Sequence, residues 1–275
     1  MADPALSEDF DDAAYERIRA WLNNRCGIYY TEKKTELLSQ RLARVIERLG
    51  LSSLDELAVR LENDQEGDIE LAIVDAASTN HTFFFREPQV LDYFANAILP
   101  ALARKAEFQI WSAASSTGDE AYTLAMLAAE ALGPAQAASC VSILGTDISA
   151  PVIHQAESAV YGRAHLEHTP EHYLKRYFDP IGDDEFKVCE SIRRMCTFRR
   201  LNLKARPFPF RRPFDAVFCR NVLYYFDRAH QRRTLEALYD ATEPGGWLLT
   251  SVTESVRDLD TRWTWVGGGI YRKVA

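Results

Sequence analysis

Between Trp111 and Tyr122 the chain reads WSAASSTGDEAY, an apolar run that breaks into small hydroxylated residues, one glycine and the acidic pair Asp119–Glu120. A small-residue turn between a strand and a helix lets a ligand approach backbone at the helix N-terminus, the usual crevice of an open α/β sheet. The turn matches neither G-x-G-x-x-G nor G-x-x-x-x-G-K-[ST], so the dinucleotide and P-loop patterns are both missing. Its acidic pair would repel a phosphate. Asp147 stands 29 residues beyond Gly118, at the end of a second apolar run, VSILGTDI (141–148). A carboxylate there can accept both hydroxyls of a ribose, while an adenine lies on apolar side chains. A nucleoside without phosphate fits, and S-adenosylmethionine, with its cationic amino and sulfonium groups, meets that description. The alternative is that Asp147 only caps the next helix. His165, His168 and His172 fall at i, i+3 and i+7, a spacing open to a metal, but Pro170 interrupts the helix this needs and they read as surface histidines.

The elements that must hold these residues alternate. FQIWSAA (108–114), VSILGTDI (141–148), FDAVFCRNVL (214–223) and GGWLLTSV (245–252) read as strands. Helices over Ala121–Leu132, after Pro151 and over Ala229–Thr242 stand between them. That alternation predicts a mostly parallel sheet covered by helices. Residues 179–200 break it with short mixed-polarity runs, FKVCE and CTFRR, and read as a small antiparallel insertion. Residues 10–78 read as helices only. In Lys33–Leu49 the apolar Leu38, Leu42, Val45, Ile46 and Leu49 share one face, and Lys33, Lys34, Arg41, Arg44 and Arg48 the neighbouring one. A further helix begins at Ser52 or Ser53, with Glu56 placed for a capping box, and another covers about 68–77.

The 275 residues allow a small domain joined to a medium one. A composition 47% hydrophobic, 26% charged and 11% aromatic excludes disordered, collagen-like and coiled-coil chains. The five cysteines contain no C-x-x-C and read as reduced thiols. No apolar run approaches a membrane span, and the N-terminus, MADPALSEDFDDAAYE, is acidic where a secretion signal is basic, so a cytoplasmic protein without membrane insertion is expected. Residues 1–80 hold 9 basic and 17 acidic side chains, the remainder 23 of each. Such a balance argues against nucleic acid as a partner. Two basic runs stand out: Arg17–Arg48, and Arg193–Arg212, which contains no acid. The second suits an acidic partner or a nucleotide second messenger, with RNA the less favoured choice, and either run can be no more than a solvated face.

Six blocks, TNHTFFFRE (79–87), WSAASSTGDEAY (111–122), LGTDIS (144–149), FRRLNL (198–203), FDAVFCRNVLYYFD (214–227) and EPGGWLL (243–249), resemble in order and spacing the chemotaxis receptor methyltransferase (CheR) family. The resemblance spans nearly the whole chain. It implies a helical N-terminal domain (1–80) before a Rossmann-like S-adenosylmethionine-dependent methyltransferase domain (81–275), with a β-subdomain inserted at 179–200. It implies methyl transfer to glutamate side chains on the cytoplasmic helical bundle of methyl-accepting chemotaxis receptors, with S-adenosylhomocysteine as product and no metal. Carried over residue by residue, cofactor contacts fall on Asn80, Thr82, Arg86, Glu120, Asp147, Asn202, Leu203, Asn221 and Val222. Tyr225 falls beside the reacting groups. In that scheme Glu120 pairs with the cofactor amine and Asp147 with the ribose, and Arg86 holds the cofactor carboxylate or the incoming glutamate.

The departures from the family pattern are Asp119 for a glutamate, Ala121 for a proline, and Ser251-Val252-Thr253-Glu254 where Gly-His-Ser-Glu is usual. The stretch between Phe178 and Asn202 is short for members that dock on a receptor's pentapeptide tether, so tether-independent action is expected. The resemblance also implies a monomer whose basic face Lys33–Arg48 meets the receptor helices. Two other readings of the same fold are a cofactor-binding docking module of a signalling array and a small-molecule or RNA methyltransferase.

Overall fold

The structure, a computed structural model, describes residues Asp12–Val274, so the start of the acidic N-terminal stretch lies outside the described residues. The chain divides into two compact units. One comprises the described residues up to Thr79 together with Tyr225–Asp227; the other comprises Asn80–Tyr224 and the described residues from Arg228 on.

The first unit carries α1 (Asp12–Cys26), α2 (Thr35–Leu49), α3 (Leu54–Glu62) and α4 (Asp68–Ala77). Helix α2 buries Leu38, Leu42 and Val45, three members of its apolar stripe, and ends at Gly50, whose left-handed φ of 64° lets its N–H reach back to Ile46 and Glu47. Ser53 caps α3 by accepting the Glu56 N–H, and the Glu56 carboxylate reaches back to the N–H and hydroxyl of Ser52. The basic face of α2 is not uniform. Arg41 is spent on the unit's own fold: its guanidinium donates to the Ala77 carbonyl (2.7 Å), the Tyr30 hydroxyl (2.9 Å) and Thr79 Oγ1 (3.0 Å). Arg44 and Arg48 are exposed.

The second unit opens with α5 (Pro88–Tyr93) and α6 (Leu99–Leu102), joined by the π-turn Phe94–Ile98. There follow β1 (Phe108–Ser112), α7 (Asp119–Leu132), α8 (Pro134–Cys140), β2 (Val141–Asp147), α9 (Ala150–Ser158) and β3 (Val160–Gly162). Next come α10 (Glu171–Tyr177), β4 (Phe178–Pro180), β5 (Glu185–Val188), α11 (Glu190–Arg193), β6 (Cys196–Arg200) and β7 (Phe214–Phe218). The chain ends with α12 (Arg228–Asp240), β8 (Thr242–Leu249), β9 (Thr264–Gly267) and β10 (Ile270–Arg272). The main sheet has the order β6-β2-β1-β7-β8-β10-β9. Its first five strands are parallel, and β10 runs antiparallel to both β8 and β9. Parallel strands buried on both faces read as near-continuous apolar runs, which is the pattern of 108–112 and 214–218 apart from Gln109, Ser112 and Asp215, the last of which accepts the Gln109 N–H at 2.7 Å.

Two sequence expectations need correction. The antiparallel insertion is a three-stranded sheet, β3-β5-β4, which starts at Val160 rather than at residue 179. The run CTFRR is not part of it: β6 pairs in parallel with β2 at the edge of the main sheet. An edge strand covered on one side buries only Phe198 fully, which is why its polarity looks mixed. The strand foreseen over 214–223 also stops early, at Phe218, leaving Arg220 and Asn221 in the loop beyond it.

This order places the reversal of strand order, the point from which successive strands are added on opposite sides, between β1 and β7. Carboxyl ends of parallel strands at such a switch point form the ligand crevice of open α/β sheets. Ser112, Asp147 and Arg220 all lie at or just beyond those ends.

Candidate functional site

The turn after β1 is tight because its neighbours leave no room for side chains. Gly118 has φ 91°, and a Cβ there would lie 2.9 Å from Ala156 Cβ and 3.1 Å from the Phe198 ring. Gly145, on β2, faces the same ring: a Cβ would meet it at 2.5 Å. Ser116 also takes a positive φ, 47°. The Ser115 N–H donates to the Thr146 carbonyl at 2.8 Å, tying the turn to β2. Ser115 Oγ is buried against Gly145, with no hydrogen-bond partner among the described residues.

Asp147 closes the turn. Its Oδ2 accepts the Ser116 N–H at 2.9 Å and its Oδ1 the Ser149 N–H at 3.1 Å, in a residue only 8% exposed. It therefore caps the segment after β2 and also joins that segment to the turn. The Leu201 N–H donates to the Asp147 carbonyl at 2.8 Å and sets Asn202 and Leu203 beside the end of β2. Leu203 is buried, and Asn202 Oδ1 accepts the Lys204 N–H at 2.9 Å. On the other side the Ser116 hydroxyl donates to the Asn80 carbonyl at 3.0 Å. Asn80, Asp147, Asn202 and Leu203 thus gather around one turn.

A second cluster centres on a residue the sequence reasoning passed over. Arg220 is 3% exposed. Its Nη1 donates to Glu120 Oε2 at 2.9 Å, its Nη2 donates to the Arg86 carbonyl at 2.5 Å, and Glu87 Oε2 lies 3.5 Å away. The other Glu120 oxygen accepts the Ser112 hydroxyl at 2.7 Å. Glu120 is therefore held by protein on both oxygens, and a ligand amine must use its remaining lone pairs. Glu87, itself at φ 57°, accepts from the Ser251 hydroxyl (2.7 Å), Asn221 Nδ2 (3.1 Å) and the Val252 N–H (3.2 Å). Burial would raise its carboxyl, but the Ser251 hydroxyl, Arg220 and Asn221 outweigh it and hold the group below the usual glutamate range. Glu254 accepts the Asn221 N–H at 2.6 Å; burial pushes its carboxyl up, against the backbone donors that favour the anion.

Of the other expected residues, Arg86 donates to the His81 carbonyl at 3.0 Å and lies over the Phe83 ring. Thr82 and Val222 are half-buried. Asn221 sits at φ 58°, its side chain on Glu87. Tyr225 belongs to the first unit, where its carbonyl accepts the Tyr29 N–H at 2.7 Å and Lys34 Nζ lies 5.9 Å from its ring centre. Arg220, Glu87 and Glu254 were open to notice, since charges flanking an otherwise apolar block must find partners when buried. His165 is no ordinary surface histidine: its Nε2 is 2.5 Å from Oδ1 of the wholly buried Asp119.

Comparison with known proteins identifies relatives along most of the chain. The family model of the CheR methyltransferase, SAM binding domain, matches residues 80–271, and that of the CheR methyltransferase all-alpha domain matches 13–74. The chain is 35% identical over 241 residues to a chemotaxis protein methyltransferase of Borreliella burgdorferi, covering 85% of each chain. Identity to the chemotaxis protein methyltransferase of Escherichia coli is 33% over 263 residues, covering 94% of this chain and 90% of that one. Identity to chemotaxis protein methyltransferase 1 of Pseudomonas aeruginosa is 34% over 273 residues, covering 95% and 98%.

Proposed function

Because the chain belongs to the CheR methyltransferase family, we propose that it methylates chemotaxis receptors on glutamate side chains, using S-adenosylmethionine. The observation that carries the reading is Asp147, whose buried carboxylate is bonded to the Ser116 N–H at the switch point of the sheet. The donor set suits the cofactor. Acceptors (Asp147, Glu120) dominate where a phosphate ligand would need donors, and a sulfonium nucleoside brings hydroxyls and cations. In this assignment Asp147 holds the ribose and Asn202 and Leu203 the adenine side. Glu120 receives the amine, and Asn80, Thr82, Asn221 and Val222 complete the wall. Arg86 offers a planar fork to a carboxylate, either the cofactor's or the acceptor's.

When bound, S-adenosylmethionine supplies an electrophilic methyl group to an in-line carboxylate. The acceptor glutamate is ionised at neutral pH, so no side chain has to remove a proton. The protein's work is positioning and drying the site. Arg220 serves it indirectly, by fixing Glu120 at 2.9 Å and standing 3.5 Å from Glu87.

The test is transfer of tritiated methyl to a receptor cytoplasmic fragment, with release of the label as methanol in base. Label retained through base treatment would mean a different acceptor atom. Binding of S-adenosylhomocysteine with no transfer would instead make the chain a docking module.

A further inference from the structure

Asp119 is the first residue of α7 and is completely buried. A carboxylate withdrawn from water costs several kcal/mol unless it is compensated. Besides the helix N-terminus, two side chains compensate it: the Thr117 hydroxyl donates to Oδ2 at 2.6 Å, and His165 Nε2 meets Oδ1 at 2.5 Å. His165 stacks on Tyr161, with ring centres 5.3 Å apart, and the Tyr161 hydroxyl donates to the Thr117 carbonyl at 2.6 Å. Thr117 is thus gripped at its side chain and at its carbonyl by one connected group. It is the residue between Ser116, whose N–H is bonded to Asp147, and Gly118.

We propose that His165 is a positioning residue for this turn: by holding the buried Asp119 carboxylate it fixes Thr117, and with it the Ser116 N–H and the Asp147 carboxylate, so that nucleoside affinity follows the protonation of His165. The proposal rests on the reading of the turn as the S-adenosylmethionine site. Around the ring stand Asp119 from α7, Tyr161 from β3 and Phe84 from the segment before α5. On its own segment, Arg163 is paired with Asp184, Glu167 is exposed and His168 lies on Phe83. The hydrogen bond to Asp119 raises the His165 pKa above the ordinary histidine value, against burial. The imidazolium therefore persists below that raised value, and the grip is full there. As pH rises through it, the neutral ring keeps one N–H but loses its charge. A charge-assisted bond is about twice as strong as a neutral one, so an affinity loss of roughly five-fold is expected over the titration.

The experiment is calorimetric titration of the full chain and of His165→Gln with S-adenosylhomocysteine, from the ordinary histidine value to two units above it. Gln donates a hydrogen bond but does not titrate, and the ligand's own amine titrates equally in both proteins. The expected result is a Kd that climbs with pH in the parent beyond the climb seen in H165Q, with KM for the cofactor raised in H165Q at acid pH and kcat kept. Parallel profiles would overturn the proposal while leaving the site reading intact. Failure of the parent to bind at any pH would overturn both. Should H165Q not fold, Asp119→Asn is the second arm. It should flatten the same profile and return the His165 ring resonances to an ordinary titration, and an unchanged profile there would equally refute the role.

Discussion

Arg220 Nη1 lies 2.9 Å from Glu120 Oε2, between side chains 3% and 12% exposed and drawn from segments 100 residues apart. Such a pair says little for net stability, because desolvation offsets much of the attraction. Its value is positional: it fixes the carboxylate at the first turn of α7 against the loop after β7.

Removing one partner of that pair leaves the other charged and buried. Arg220→Leu should lower unfolding free energy by about 3–5 kcal/mol, since it strands both Glu120 and Glu87. Glu120→Gln, which keeps a hydrogen-bond acceptor, should cost less. Urea denaturation followed by circular dichroism checks the order; equal stabilities of parent and R220L would mean that the pair is not buried in solution.

Asp147→Ala removes the acceptor of the Ser116 and Ser149 amides and, in the proposed function, of the ribose hydroxyls. Hydrogen bonds to charged groups contribute about 1.5–3 kcal/mol, so S-adenosylhomocysteine should bind roughly ten- to hundred-fold more weakly. A folded D147A with parental affinity in calorimetry would remove the ribose assignment.

Glu87 makes an acid-side prediction. Its folded pKa lies below the ordinary glutamate value, so the stability it contributes is present above that value and is lost as pH falls through the lowered one. The thermal midpoint of the parent should therefore fall more steeply with acid than that of Glu87→Gln. The two curves should converge at the lowest pH at which both still fold.

On α2, Arg44→Glu with Arg48→Glu should slow receptor methylation and leave cofactor affinity unchanged, if this face meets the acidic receptor helices. Arg41→Glu should instead destabilise the helical unit, because it breaks bonds to Ala77, Tyr30 and Thr79. Rates with a receptor fragment, set beside melting curves, separate the two effects.

Much of the scaffold is legible in the sequence. Apolar runs without alternation mark parallel strands buried on both faces, and the positions around the turn and Asp147 follow from where such runs end. What escapes is pairing at a distance. Nothing local connects His165 to Asp119 46 residues away, and a histidine looks alike whether it faces water or a buried acid. Strand ends escape too: Cys219 is as deeply buried as the strand before it, although β7 has already ended. The edge strand β6 reads as irregular because packing on one side demands only Phe198.

The Phe198 ring occupies the space that side chains at Gly118 and Gly145 would need. Gly145 and Phe198, on neighbouring strands, therefore behave as a single inherited unit, whereas Gly118 is held separately by its φ of 91° and by Ala156 Cβ at 2.9 Å. A lineage that acquires alanine at Gly145 must first shrink the aromatic, and one that shrinks the aromatic opens a hole beneath the turn. Across descendants that pair should be kept whole or exchanged together, and a library randomised at both codons should return survivors in matched pairs.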